Sequence, residues 1–131
     1  MKINILALFL VITFLGCSSD DDSSNNMDPD QNTELMGDFV SVAHPTSGTA
    51  IVSADMSTLQ LNDFKSDDGP LLELYLTTDL EVTDYVSLGI LKGLDGNYTY
   101  DLPDDIDLTT YNHLVVWCVD FSVNFGYAIL K

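Results

Sequence analysis

Leu114-Val115-Val116-Trp117-Cys118-Val119, residues 114–119, has no charged or strongly polar side chain. Successive side chains of a strand point to opposite faces, so a strand of this composition must be covered on both sides. That places it in the middle of a sheet. Working outward, short apolar runs recur between turn residues. Val123 to Leu130 follows directly. Upstream, Leu72-Glu73-Leu74-Tyr75-Leu76 alternates, with the leucines inward and Glu73 outward, and Val86 to Leu91 and Tyr98 to Leu102 come after it. Nearer the start lie Gly48 to Ala54, Leu59-Gln60-Leu61-Asn62, and Gly37 to Ala43, which ends at His44-Pro45 because proline cannot donate to a ladder. No stretch sustains the helical period. The spacing predicts an all-β chain: an antiparallel β-sandwich of about eight strands across residues 34–131. Within it, Gly93-Leu94-Asp95-Gly96-Asn97 carries an Asp-Gly step that predicts a tight hairpin between its flanking runs. A domain of this size buries roughly two thirds of its unfolded surface and needs neither disulfide nor metal to fold.

Residues 1–16 read as a lipoprotein signal peptide. Lys2 supplies the positive start, and Ile3 to Leu15 is apolar except for Asn4 and Thr13, too short to span a bilayer. Phe14-Leu15-Gly16-Cys17 suits cleavage before a cysteine that then carries lipid, although Leu is commoner than Phe at the first of these positions. An ordinary signal peptide or an uncleaved anchor is the alternative. Residues 17–33 are then the lipidated Cys17 and an acidic tether rich in Ser, Asn and Asp. Such a composition cannot bury enough apolar surface to order itself, and as a coil it reaches roughly 20–25 Å. Ser19-Asp20-Asp21-Asp22 resembles the acidic export signal that sends lipoproteins of certain Gram-negative bacteria to the outer face of the outer membrane; a solvated linker is the plainer reading.

The chain carries a formal net charge of −17. It has no arginine, and after cleavage its basic side chains are Lys65, Lys92 and Lys131. Nucleic acid is excluded as a partner, because affinity for phosphate backbones comes largely from Lys and Arg displacing counterions. A basic patch on anionic headgroups fails for the same reason. Membrane attachment is therefore expected through lipid on Cys17, since more than one acyl chain anchors stably.

With Cys17 lipidated, Cys118 is the one thiol left, and it has no partner for an internal disulfide. Two readings stay open. Free cysteine packs as a small buried hydrophobe. Against that, exported proteins rarely keep an exposed lone thiol, so chemistry as a redox group or a ligand is the other reading. His44 and His113 complete, with Cys118 and Met36 or Met56, the inventory of a blue-copper site. Opposite strand parity of His113 and Cys118, and the lack of a histidine after Cys118, argue against it. His44, just before Pro45, either caps a turn or reaches a site beneath the sheet. Trp117 neighbours Cys118 on the opposite face and reads as a core residue rather than an electron relay. Asp101, Asp104, Asp105 and Asp107 form an oxygen-rich loop open to calcium or simply to water, with no EF-hand spacing. No Cys-x-x-Cys-His, iron–sulfur set or hydrolytic triad occurs.

Gly37-Asp38-Phe39, Ala43 to Ala50, Leu59 to Phe64, Gly69-Pro70, Leu74-Tyr75-Leu76, Leu91-Lys92-Gly93, Gly96 to Tyr100, Val116-Trp117-Cys118 and Phe121 to Ala128 together resemble the DM-thirteen domain. That resemblance implies an all-β extracellular electron-transfer module, which in animals often stands beside DOMON domains, themselves thought to bind haem or sugars. The family's hallmark cysteine falls on Cys118. The resemblance thus implies Cys118 as a redox thiol, acting alone or through a prosthetic group such as haem; His44, by its position at a strand end, is the second candidate cofactor contact. Leu71 departs from the family, which commonly has Asp after the Gly-Pro step. No companion domain is visible, so the electron partner is expected to be another redox or surface protein. The expectation is a lipid-anchored, surface-exposed outer-membrane lipoprotein with an electron-transfer domain. The alternative is a non-catalytic extracellular module that binds a protein or a glycan.

Overall fold

The structure, a computed structural model, describes residues 34–131; the signal peptide assigned to 1–16 and the lipidated Cys17 and tether of 17–33 lie outside the described residues. Among the described residues there are nine strands and no helix: β1 (Met36–Asp38), β2 (Val40–Ser41), β3 (Thr46–Val52), β4 (Thr58–Ser66), β5 (Leu72–Thr77), β6 (Tyr85–Ile90), β7 (Asp95–Asp101), β8 (His113–Cys118) and β9 (Val123–Ile129). They form a four-stranded sheet, β1-β3-β4-β7, and a five-stranded sheet, β2-β9-β8-β5-β6. All pairings are antiparallel. The predicted β-sandwich is thus present. Its core is built where the inward positions of the two sheets meet: Val52, Leu59, Leu61 and Phe64 from one, Leu74, Leu76, Leu114 and Val116 from the other.

The count rises from eight strands to nine because the predicted run Gly37 to Ala43 divides. Its first part pairs with β3, and its second pairs with β9 in the other sheet, Val40 opposite Tyr127. The crossing point is Phe39. Its N–H still donates to Gly48 O (2.9 Å), while its ring turns inward and meets Phe64 edge-on, centroids 5.2 Å apart. Burial of that ring between the sheets is what redirects the chain. Gly37 makes the junction possible, because a Cβ there would lie 2.1 Å from Ile129 O. One side of the sandwich is thereby closed by a strand shared between both sheets.

The hairpin expected at Asp95-Gly96 does not form, and this corrects the sequence reading. Strand β6 pairs with β5, whereas β7 pairs with β4 in the opposite sheet. Leu88, Leu91 and Leu94 all pack on the core, so the connection crosses from one sheet to the other. The Asp-Gly step is used instead at the start of β7, where Asp95 lies opposite Lys65 and Gly96 opposite Phe64, next to a register shift. Gly96 has φ 144°. The extra residue of that irregularity belongs to β4, where Asp63 has φ 49°, so Gly96 serves only the entry into β7.

The reading of 114–119 as a central strand holds. Strand β8 lies between β5 and β9. Leu114, Val116 and Cys118 belong to the core between the sheets. The alternate residues His113, Val115 and Trp117 face outward. Val115 is fully buried on that outer face. It is flanked in register by Tyr75 on β5 and Tyr127 on β9, so aromatic side chains supply the second cover.

Candidate functional site

Cys118 is the last residue of β8, opposite Leu72 on β5 and Val123 on β9. The ladder runs on past it, Val119 N–H donating to Leu71 O at 2.9 Å. Cys118 is a free cysteine at 0% exposure, packed in the core cluster. Its surroundings depend on a bulge. The β8–β9 register shifts between Val116 and Trp117, leaving Phe125 as the extra residue of β9. Phe125 turns into the core beside Leu72 and Gly69, and the next residue, Gly126, lies against Thr46 of the opposite sheet; a Cβ there would come within 2.4 Å of Thr46. The bulge lets two successive residues point inward and brings the sheets together close to Cys118.

His44 lies on the solvent side of this end. Its ring stacks on Phe125 at 4.0 Å, its Nδ1 hydrogen-bonds Asp67 Oδ2 at 3.1 Å, and its side chain is 43% exposed. Thr46 and Ser41 tie the turn that holds it: Thr46 N–H donates to Ser41 Oγ (2.9 Å), and Thr46 Oγ1 donates to His44 O (3.1 Å). The His44 side chain itself reaches across to Asp67 and Phe125 at the surface. Haem does not fit these two residues as they stand. An iron needs an open coordination position at the sulfur, and at zero exposure Cys118 presents none, while His44 lies at the surface with its side chain 43% exposed.

The other metal candidates are not brought together. His113 is on the outer face, opposite to Cys118, and its Nδ1 is buried without a hydrogen-bond partner. No group of three or more His, Cys, Asp or Glu side chains able to hold a metal occurs among the described residues. In the acidic loop, Asp107 accepts hydrogen bonds from the hydroxyls of Thr109 and Thr110, which lower its pKa. Asp104 and Asp105 instead line an open hollow of about 520 Å³ with Asp55, Met56 and Ile106.

The sequence reading of Trp117 as a core residue is corrected. Trp117 is half-buried on the outer face of the five-stranded sheet, one peptide bond from the buried thiol. Tyr75 stacks against it at 6.3 Å between centroids, with planes 24° apart; on its other side Tyr75 stacks on Tyr85 at 4.2 Å and 12°. Three near-parallel rings thus run from β8 across β5 to β6. Tyr75, in the middle, is 5% exposed, and Tyr85, at the end, is 49% exposed. Burial, with help from Glu73 and Tyr85, pushes the Tyr75 hydroxyl up to about 12. Parity alone would have put Tyr75 and Trp117 on one face. Their stacking, and the addition of Tyr85, depend on strand order.

Neither a curated protein nor a solved structure matches the chain. A family model does: the one described as Electron transfer DM13 matches residues 38–130, which takes in every strand from β2 to β9 and Cys118 within β8. Matched by that model over most of its length and folded as an all-β sandwich, the chain belongs to the DM13 electron-transfer family.

Proposed function

We propose that this protein is a cell-surface electron-transfer module, held at the outer membrane by lipid on Cys17 and spaced from it by residues 17–33, in which Cys118 is the interior redox group and the partner is another redox protein. The observation that carries this reading is the position of Cys118: within the residues that the family model matches, it sits on the central strand, wholly enclosed. Enclosure restricts the chemistry. Thiol–disulfide exchange requires a thiolate to reach a sulfur along an open approach, and no such approach exists at 0% exposure. Enclosure also protects a reduced thiol in an oxidising compartment. Electrons would thus be exchanged through protein, without contact between the sulfur and the partner: the oxidised partner takes one electron from Cys118, whose sulfhydryl also loses its proton to become a thiyl radical, and the reduced partner's electron with a returning proton restores the thiol. Turnover of a bound substrate finds no support in the geometry around the thiol.

The test compares the full chain with Cys118→Ala in a mediated coulometric titration. The wild type is expected to take up and release reducing equivalents that the variant lacks, even though its thiol is inert to an alkylating reagent under native conditions. Equal titrations would remove Cys118 from the redox function. A second reading, a non-catalytic module that binds a surface protein or glycan, draws on the exposed apolar side chains Phe121, Ile90 and Val42. It predicts equal titrations and binding to a cell-surface extract that Phe121→Ser or Ile90→Ser weakens.

A further inference from the structure

A thiol sealed in the core of a small electron-transfer domain raises the question of where electrons pass between the domain and a partner. The face opposite the core offers a route. Tyr85, Tyr75 and Trp117 are in ring-to-ring contact, near-parallel at both steps, and the row begins at a ring half open to solvent. The surroundings are negative. Glu73 lies in register beside Trp117, and Asp84 directly precedes Tyr85. Both carboxylates are held: Glu73 accepts from Ser87 Oγ at 2.8 Å, and Asp84 from the Tyr111 hydroxyl at 3.0 Å. None of the three strands that carry the rings holds a lysine.

We infer that the Tyr85–Tyr75–Trp117 stack is the electron path of this domain, and that it serves a cationic one-electron acceptor docked at Tyr85. This rests on the electron-transfer reading and specifies where electrons leave the domain. In the step, the acceptor gains one electron and the Trp117 indole loses one. The indole holds the hole as a radical cation, so no bond forms or breaks and no proton has to leave. Tyr75 acts as the bridge. It lies between the other two rings on the middle strand of the three and is 5% exposed. Tyr85 is the port because it is the ring of the three most open to a partner. The cationic partner follows from the carboxylates at both ends of the stack, which attract positive charge and repel negative.

Trp117 is the one tryptophan of the chain, so its radical can be followed without ambiguity. The full chain in detergent is mixed with a cationic ruthenium polypyridyl complex that is oxidised by a laser flash, and transient absorption records the indole radical. The wild type is expected to form it quickly, with a rate that falls roughly tenfold or more as salt is raised, as steered encounters do. An anionic oxidant of similar strength is expected to be slow and to gain rate with salt. Tyr85→Leu and Tyr75→Leu are each expected to lose most of the rate, while Tyr75→Phe keeps it, because the ring and not the hydroxyl is the bridge. Near-ultraviolet circular dichroism establishes that each variant is folded, and Tyr85→Leu, at an exposed position, carries the test if Tyr75→Leu is not. Cys118→Ala is expected to keep the radical signal. Wild-type rates in Tyr85→Leu would overturn the path while leaving electron transfer standing. Failure of the wild type to exchange electrons with either oxidant would overturn electron transfer itself.

Discussion

Replacing Cys118 separates packing from chemistry at the residue on which the function turns. The side chain is wholly enclosed on the central strand, between Leu72 and Val123 in register. Cys118→Ala removes one sulfur atom, comparable to a methylene in size, and leaves a small cavity. The lost transfer energy and the cavity together cost about 1–2 kcal/mol. Cys118→Ser keeps the volume but puts a hydroxyl into an apolar setting, and an unpaired buried hydroxyl costs about 1–3 kcal/mol in addition to the lost apolar contact. Serine is therefore expected to be the more damaging of the two, although it is the closer in shape. For a domain of this length each kcal/mol moves Tm by about 4–8 °C. Equilibrium unfolding in urea, followed by the fluorescence of Trp117, gives the differences. In parallel, the thiol of the wild type should react with an alkylating reagent at least ~10³ times more slowly in buffer than in denaturant, because reaction waits on opening of the core. A serine variant as stable as the wild type, or a thiol that reacts at once under native conditions, would refute the enclosure on which both the packing argument and the through-protein route rest.

Gly126→Ala should cost about 1–3 kcal/mol in the same unfolding assay, because its Cβ would come within 2.4 Å of Thr46 on the facing sheet; a change under about 0.5 kcal/mol would mean that the sheets are not held this close. Val82 is β-branched and sits at φ 58°, where a side chain clashes with its own backbone, so Val82→Gly is expected to raise stability by about 0.5–1 kcal/mol after the added chain entropy of glycine, and a fall in Tm would count against that strain. Asp55 is held down to about 2 by the hydroxyls of Ser57 and then Ser53. A carboxylate with a depressed folded pKa stabilises above its ordinary value of 3.8, and that contribution disappears as the pH falls through the window down to about 2. Asp55→Asn should therefore flatten the acid limb of the stability–pH curve, and a curve identical to the wild type would show that these hydrogen bonds do not persist in solution.

Several features were legible from local pattern alone. Alternation in 72–76 and the doubly apolar run 114–119 reported which residues face inward and which strand lies in the middle, because burial selects side chains with a period of two. The opposite parity of His113 and Cys118 was enough to separate them. Other features depended on which strand pairs with which. Gly37 to Ala43 looks like one strand, and only Phe64 on one side and β9 on the other divide it at Phe39. Asp95-Gly96 supplies the backbone freedom that a hairpin requires, and the distant partner β4 takes it up instead as the first residues of a strand. Trp117 looked like core because hydrophobicity records that a residue is covered, not by what. Here the cover is tyrosine from neighbouring strands rather than the second sheet.

By itself the sequence determined an all-β domain with a central strand bearing the thiol, a strongly negative net charge, and the family to which the chain belongs. Tertiary structure alone decided that Cys118 is closed to solvent, that His44 is spent on Asp67 and Phe125, and that three rings from three strands meet on the outer face. The physical reason is range. Burial period and charge are written in residues a few positions apart, whereas enclosure and ring stacking are set by strand order, which joins residues as far apart as Tyr75 and Trp117.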